Sequence, residues 1–440
     1  MVGPVRVRFA PSPTGHVHIG NMRVCIYNWL FARNTGGAML LRVEDTDRKR
    51  STPEALQTLF DALEWLGLDY DEEPVYQSQR LERYYEICDY FLDNGYAYYS
   101  AKGDADKGEA LLFKVTEDAS YTDIILGNRK KDSDDIADFV ILKSDRTPVF
   151  HLANVVDDID MGITHILRGN DHVESTFRHV MMYKALGKPL PRYAHFPMIV
   201  NDSGKPYSKR DGDAYVGDFR NKGYLPDALF NFLALCGWSP GDDREVIPRD
   251  EMIGLFSLER VRSSPSQFNM KKMDWMNREY IKMLSDGELA AAAAPFAEKR
   301  GYDMNGLSPD RQKEIAGMYR DRITTLAEFP EDAYFFFSDD FEYDLKGAEK
   351  FLLGEGCREI FDELYDIIER TEHLNEEALT PPFKELMDKR EVGFIRIAQP
   401  LRMAMTGTTK SPGIFETLAC LGREEVLKRM GRIQRTFYKE

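Results

Sequence analysis

The chain has 440 residues, with 58 Lys and Arg against 74 Asp and Glu and a net charge of −16 at neutral pH, so it is neither a small stapled scaffold nor a basic tail. Hydrophobic residues at 43% and aromatics at 12% exclude a disordered chain, and no run approaches the ~18 apolar residues of a membrane span. At about 100 to 200 residues per domain, the length predicts two to four domains with ample chain for a core in each.

The N-terminus enters a strand directly, without the segments of a secretory signal, and the five cysteines are scattered with no Cys-x-x-Cys pair. A soluble protein of a reducing cytoplasm, with neither disulfides nor a zinc knuckle, is the expectation. Val5, Val7 and Phe9 alternate with Arg6, Arg8 and Ala10 as in a strand, and Pro11-Ser12-Pro13-Thr14-Gly15 ends it. A helix runs from about Gly20 to Thr35-Gly36-Gly37. Ala38 to Val43 reads as a strand buried on both faces, and Ser51-Thr52-Pro53-Glu54 opens a second helix with Leu56, Leu59, Phe60, Leu63 and Leu66 on one side. Strand, helix, strand, helix predicts an α/β fold with a doubly wound parallel sheet. From about Tyr96 to Phe150 the rhythm breaks, which reads as an inserted lobe. The pattern resumes at Phe139 to Lys143, at Ile163 to Arg168, in a helix from Ser175 to Leu186 and in a strand from about Ala194 to Val200. Beyond Tyr224 strand-like runs disappear and helical periodicity dominates. The last stretch, Lys384 to Glu440, carries 12 Lys and Arg against 7 Asp and Glu, so a locally positive face is compatible with the acidic total.

Three groups of residues carry chemistry. His18-Ile19-Gly20-Asn21 starts a helix after a Pro/Gly turn; it suits a phosphate seat, with a plain helix cap as the alternative. Gly204-Lys205-Pro206-Tyr207-Ser208-Lys209-Arg210-Asp211-Gly212 is a basic loop after a strand, either a lid over a triphosphate or a solvated turn. Arg8, Glu44 with Asp45 and Asp47, and Arg168 lie at strand ends, where parallel sheets bind ligands. Two arginines and a carboxylate suit an amino acid with an extra carboxylate; a structural ion-pair cluster is the competing reading.

Together these residues resemble a known family. Arg8-Phe9-Ala10-Pro11-Ser12-Pro13-Thr14-Gly15 with His18-Ile19-Gly20, then Leu41-Arg42-Val43-Glu44-Asp45-Thr46-Asp47, His151-Leu152-Ala153-Asn154-Val155-Val156-Asp157-Asp158 and Ser208-Lys209-Arg210, resemble the bacterial glutamyl-tRNA synthetases of class I. Ala398-Gln399-Pro400-Leu401-Arg402, Thr406-Gly407 and Ser411-Pro412-Gly413 are similar to that family's anticodon-binding region. The resemblance implies a Rossmann-type catalytic domain in two halves, 1–97 and 151–222, with an acceptor-binding lobe at 98–150. A connecting helical subdomain would follow at 223–285 and an all-α anticodon-binding domain at 286–440. It implies activation of L-glutamate with ATP and Mg²⁺, and transfer to the 3′-terminal adenosine of tRNA(Glu), with tRNA(Gln) an open second acceptor. Arg8 and Arg168 would take the side-chain carboxylate of glutamate, Ala10, Ser12 and Glu44 its backbone end, and Asn154 would line the pocket. His18 and Lys209 would be catalytic. His18, Gly20, Asn21, His172, Lys205, Ser208 and Lys209 would contact ATP. From their place after the buried strand, Arg48 and Arg50, with Lys49, would touch the acceptor end of tRNA or else form a solvated turn. A monomer without membrane association is implied.

The departures from the family are specific. Asn21 ends the first signature where a histidine is ideal, and Pro206 replaces the first lysine of the second, with Lys205 one position earlier. Phe150 stands where a tyrosine is frequent, and Tyr96 to Ser100 holds no cysteine, so structural zinc is not expected. A small paralogue that glutamylates a modified base is disfavoured by the helical C-terminal part, and Pro206 is the one feature that favours a catalytically silent tRNA-binding protein.

Overall fold

The computed structural model describes residues 3–47, 50–101 and 108–438. It divides into two compact units, residues 1–221 with 225–276 and residues 222–224 with 277–440.

The first unit begins with β1 (Arg6–Phe9), α1 (Ile19–Thr35), β2 (Ala38–Val43), α2 (Pro53–Trp65), β3 (Val75–Tyr76) and α3 (Leu81–Asp93). The three strands pair in parallel, with Arg8 opposite Leu40 and Val43 opposite Tyr76. β2 is buried at all but its first residue, as a strand covered on both faces must be. Thr52 caps α2, its Oγ accepting from Ala55 N at 3.2 Å, and Pro53 occupies the first turn, where its missing N–H costs nothing.

The insertion follows. β4 (Ala97–Ser100) and β5 (Ala110–Phe113) precede a hairpin of β6 (Ala119–Asp123) and β7 (Gly127–Lys131), and then β8 (Phe139–Leu142). β4, β5 and β8 form a small antiparallel sheet. Two expectations change here. Phe139 to Lys143 does not resume the main sheet but completes this small one. The hairpin leaves the lobe, and Asp123 at the end of β6 pairs with Tyr193 of the main sheet. Apolar pattern identifies a strand without naming its partner, which accounts for both.

α4 (Phe150–Asp160), β9 (His165–Gly169), α5 (Val173–Ala185) and β10 (Arg192–Phe196) complete the main layer. β9 and β10 are parallel, with Arg168 opposite His195, and Thr164 N donates to Arg6 O at 3.0 Å, which sets β9 beside β1. One core joins Leu40, Ile166 and Tyr193 of the strands to Phe91 of α3, Val155 of α4 and Val180 of α5, together with Leu111, Phe113 and Ile141 of the lobe. Met39 and Leu41, which by alternation point away from Leu40, are equally buried.

The strand expected from Ala194 to Val200 is broken at Pro197, which has no N–H for the ladder. Its second piece, β11 (Ile199–Val200), pairs with β12 (Ser266–Gln267), so one short strand does lie beyond Tyr224, too brief to leave a periodic signal. Between them run α6 (Val216–Lys222), α7 (Pro226–Leu235) and α8 (Arg249–Leu255), and α9 (Met270–Met283) follows β12. The second unit is helical from Asp286–Lys299 to Arg423–Phe437, and its Cys357–Arg370 helix buries Ile360, Phe361, Leu364 and Ile368 along one stripe.

Gly37, just before β2, packs closely against Val5, just before β1. A Cβ there would lie 2.8 Å from Val5 Cβ and nearer still to the Val5 carbonyl oxygen, which is main chain leading into the neighbouring strand. Gly37→Ala is expected to destabilise the first unit by about 1–3 kcal/mol, the usual cost of overpacking, read as a lower denaturation midpoint; an unchanged midpoint would contradict the contact.

Candidate active site

The C-terminal ends of β1, β2 and β9, the start of α1 and the loop after β11 enclose a cleft of about 510 Å³. Arg8, Ala10, Ser12, His18, Gly20, Asn21, Glu44, Phe150, Asn154, Arg168, His172 and Pro206 all line it. Glu44 N donates to Pro11 O at 2.9 Å, which ties the Pro-rich turn after β1 to the end of β2.

The floor of the cleft is a buried charge network. Asp158 on α4 receives Arg8 Nε at 2.9 Å and Nη2 at 3.3 Å, and also Nη1 of Arg42. Arg42 is fully buried and reaches Glu44 Oε1 at 3.2 Å, where Asn154 Nδ2 also donates at 2.8 Å. Asp157 lies on the far side, receiving Gln77 at 2.8 Å, Arg80 Nε at 2.7 Å and the Tyr84 hydroxyl. Burial would raise the Asp158 carboxyl, but Arg42 and Arg8 together outweigh it and hold it below the ordinary carboxylate range. For Glu44 burial wins over the same two arginines and its carboxyl is pushed up. The structural ion-pair reading of these strand ends is therefore correct for part of the set: Arg8 is half committed to Asp158.

Arg168 is different. It is 5% exposed, Nη2 donates to Thr176 Oγ at 2.7 Å and Nε to His195 Nε2 at 3.2 Å, and among the described residues Nη1 has no partner and no carboxylate pairs with the guanidinium. Burial, and then the nearby Arg8, push its pKa down to about 10. It stays a cation at neutral pH, and one in want of an anion.

His18 takes the cap role considered for it. It is the N-cap of α1, its Nδ1 accepting from Gly20 N at 3.0 Å, and that bond leaves the proton of the neutral ring on Nε2 as a donor. Burial lowers its pKa, with the Tyr207 backbone opposing. His172 stacks on Phe150 with ring centroids 5.2 Å apart, and burial followed by Arg168 brings its pKa to about 4. The cleft thus holds neutral imidazoles beside a surplus cation.

The basic loop is placed less centrally. Lys209 Nζ lies 5.8 Å from the ring centre of Tyr215, and that ring meets His18 edge-on at 6.0 Å, so the lysine stands near the start of α1 without lining the cleft. Ser208 bonds Asp211 through both N and Oγ, and Lys205 N donates to Asn201 Oδ1. Arg50 is exposed, its N donating to Asp47 O, and Arg48 lies outside the described residues. Among the described residues no group of three or more His, Cys, Asp or Glu is placed to hold a metal ion.

Sequence reading assigned no role to Arg42, Asp157 or Asp158. The signal was present for one of them, since a charge inside the otherwise apolar run Ala38 to Val43 requires a buried partner. Asp123, Thr176 and His195 gave none, because their contacts with Arg168 arise only when β6, α5 and β10 come together.

Comparisons with known proteins agree with this geometry. Residues 4–111 and 99–275 match the family model described as tRNA synthetases class I (E and Q), catalytic domain, and residues 288–434 match the anticodon binding domain model. The chain is 34% identical to glutamate–tRNA ligase 1 of Caldanaerobacter subterraneus subsp. tengcongensis, over 98% of each chain, and 39% identical to glutamate–tRNA ligase of Desulfosudis oleivorans, over 96% of each. The crystal structure of a glutamate tRNA ligase from Elizabethkingia meningosepticum in complex with its amino acid superposes with a TM-score of 0.88 at 29% identity, over 98% of this chain and 99% of that one. With a charge-lined cleft at the strand ends, a capped helix start beside it and matches along nearly the whole length, the chain belongs to the glutamate–tRNA ligase family of class I aminoacyl-tRNA synthetases.

Proposed function

We propose that this chain joins L-glutamate to ATP, forming glutamyl adenylate and pyrophosphate, and then passes the glutamyl group to the 3′-terminal adenosine of tRNA(Glu). The observation that carries the reading is Arg168, a buried guanidinium that lines the same cleft as His18 and whose Nη1 has no partner among the described residues. A ligand carboxylate would satisfy it, and the side chain of glutamate supplies one, with Arg8 alongside. Glu44 and Asn154, with Ala10 and Ser12, would hold the amino-acid end, the carboxylate of Glu44 facing the ammonium group. At the start of α1, His18 Nε2–H, Gly20 and Asn21 would meet phosphate oxygens, where unpaired backbone N–H groups favour anions. His172 would contact the nucleotide. Mg²⁺ would enter with ATP as part of the substrate.

The α-carboxylate of glutamate attacks the α-phosphorus, the bond to the bridging oxygen breaks, and pyrophosphate leaves with the pair of electrons. A ribose hydroxyl of tRNA then attacks the acyl carbon and AMP departs. Neither step needs an enzyme nucleophile, so the contribution of the protein is positioning and charge stabilisation. Lys209, with Lys205 and Ser208 on the same loop, would neutralise the leaving pyrophosphate once the loop closes. Arg48 and Arg50 and the 98–150 lobe would take the acceptor end, the 223–285 segment the stem, and the helices of 286–440 the anticodon. The enzyme would work as a cytoplasmic monomer.

Aminoacylation of purified tRNA(Glu) and tRNA(Gln) tests the reading: glutamate charging of tRNA(Glu) is expected, its rate on tRNA(Gln) defines the acceptor range, and charging of neither would refute it. Arg168→Ala is expected to raise the KM for glutamate about 100-fold in pyrophosphate exchange while the KM for ATP moves less than about twofold; equal losses for both would mark Arg168 as structural. Lys209→Ala should lower the exchange rate about 10²- to 10³-fold with tRNA affinity nearly unchanged, and a loss confined to tRNA affinity would contradict its role.

A further inference from the structure

Arg168 is held by a line of buried polar contacts that begins in the hairpin of the insertion. Asp123, at the end of β6, is 1% exposed, and its Oδ1 accepts from Ile125 N at 2.9 Å and Leu126 N at 2.8 Å across the turn to β7. Its Oδ2 lies 2.6 Å from Nδ1 of His195, which is fully buried on β10. His195 Nε2 in turn lies 3.2 Å from Arg168 Nε and 3.0 Å from Thr176 Oγ.

The chemistry of these atoms allows one arrangement. A guanidinium only donates, so His195 must present a bare Nε2 to Arg168 Nε–H and carry its proton on Nδ1. A carboxylate only accepts, so Asp123 enforces that tautomer. Thr176 Oγ, accepting from Arg168 Nη2, fixes a second nitrogen. With Nε and Nη2 fixed, Nη1 is the nitrogen left for a ligand.

We propose that Asp123 and His195 are positioning residues for glutamate recognition, acting through Arg168: Asp123 sets the tautomer of His195, and His195 holds the guanidinium with Nη1 available. The inference rests on the reading in which Arg168 takes the substrate carboxylate. It makes β6, a strand of the 98–150 insertion by sequence, a part of the amino-acid site.

Asp123→Asn is the informative change. The side-chain oxygen of asparagine would stay on the three backbone N–H donors that Oδ1 now serves, those of Ile125, Leu126 and His195, so its NH₂ group would face His195 Nδ1. That forces the proton onto Nε2, where it meets Arg168 Nε–H donor to donor. His195→Gln offers an amide oxygen to Arg168 and has no tautomer to misplace. In pyrophosphate exchange by the full-length enzyme, Asp123→Asn is expected to raise the KM for glutamate about tenfold, with kcat and the KM for ATP within about twofold. His195→Gln should stay within about threefold, and adding Asp123→Asn to it should change the KM by less than about twofold. The proposal is overturned by an unchanged KM in Asp123→Asn, by an equal loss for ATP, by His195→Gln being as impaired as Asp123→Asn, or by the same tenfold rise in the His195→Gln background. Arg168→Ala separates the two levels. If it weakens glutamate and Asp123→Asn does not, only the relay fails; if it leaves glutamate binding intact, the reading of Arg168 itself fails.

Discussion

A guanidinium buried without a carboxylate is the constraint around which the first unit is organised. Arg8, Arg42 and Arg168 all come to the strand ends almost wholly removed from water. Asp158 and Glu44 answer the first two, and among the described residues Arg168 is hydrogen-bonded only to neutral groups. Taking a charge out of water costs several kcal/mol unless a partner repays it. The depressed pKa of Arg168, about 10, is that cost expressed as proton affinity. On the proposed reading, a substrate carboxylate arriving at this site would remove a penalty that the fold itself carries, so recognition of charge and recognition of shape would become the same event.

The neutral partners matter as much as the missing anion. Asp123 could have been placed against Arg168 itself; instead His195 stands between them and carries the hydrogen bond without cancelling the charge. His151 and His172 are held near pKa 4, by burial first and then by neighbouring cations, so they add no positive charge that would compete for the ligand. The overall charge of −16 is thus a poor guide to the cleft, where the local balance is positive.

Much of this was legible in the sequence because it is local. The alternation of Val5, Val7 and Phe9, the helix start at Ser51 to Glu54 and the Pro-rich turn before His18 each act within a few residues and are found where expected, although the cap falls on Thr52 rather than on Ser51 of the capping-box spacing. Where meaning depends on distant partners, pattern fell short. Phe139 to Lys143 was a strand, but of the small sheet rather than the main one, and β6 crosses from the insertion to pair with β10. Arg8 was read as either a ligand group or a member of an ion-pair cluster, and its partner Asp158, 150 positions away, which holds two of its nitrogens, was not identified. Asp123 and His195 are 72 positions apart and neither belongs to a recognisable motif.

The sharpest test of the surplus cation compares glutamate with glutamine, which has nearly the same shape and no charge, as the amino acid in pyrophosphate exchange with tRNA(Glu) present. A site built around an unanswered guanidinium should favour glutamate by at least about 10³-fold in kcat/KM. Comparable exchange with the two would mean that Arg168 does not recognise the substrate by charge, and the account would fail.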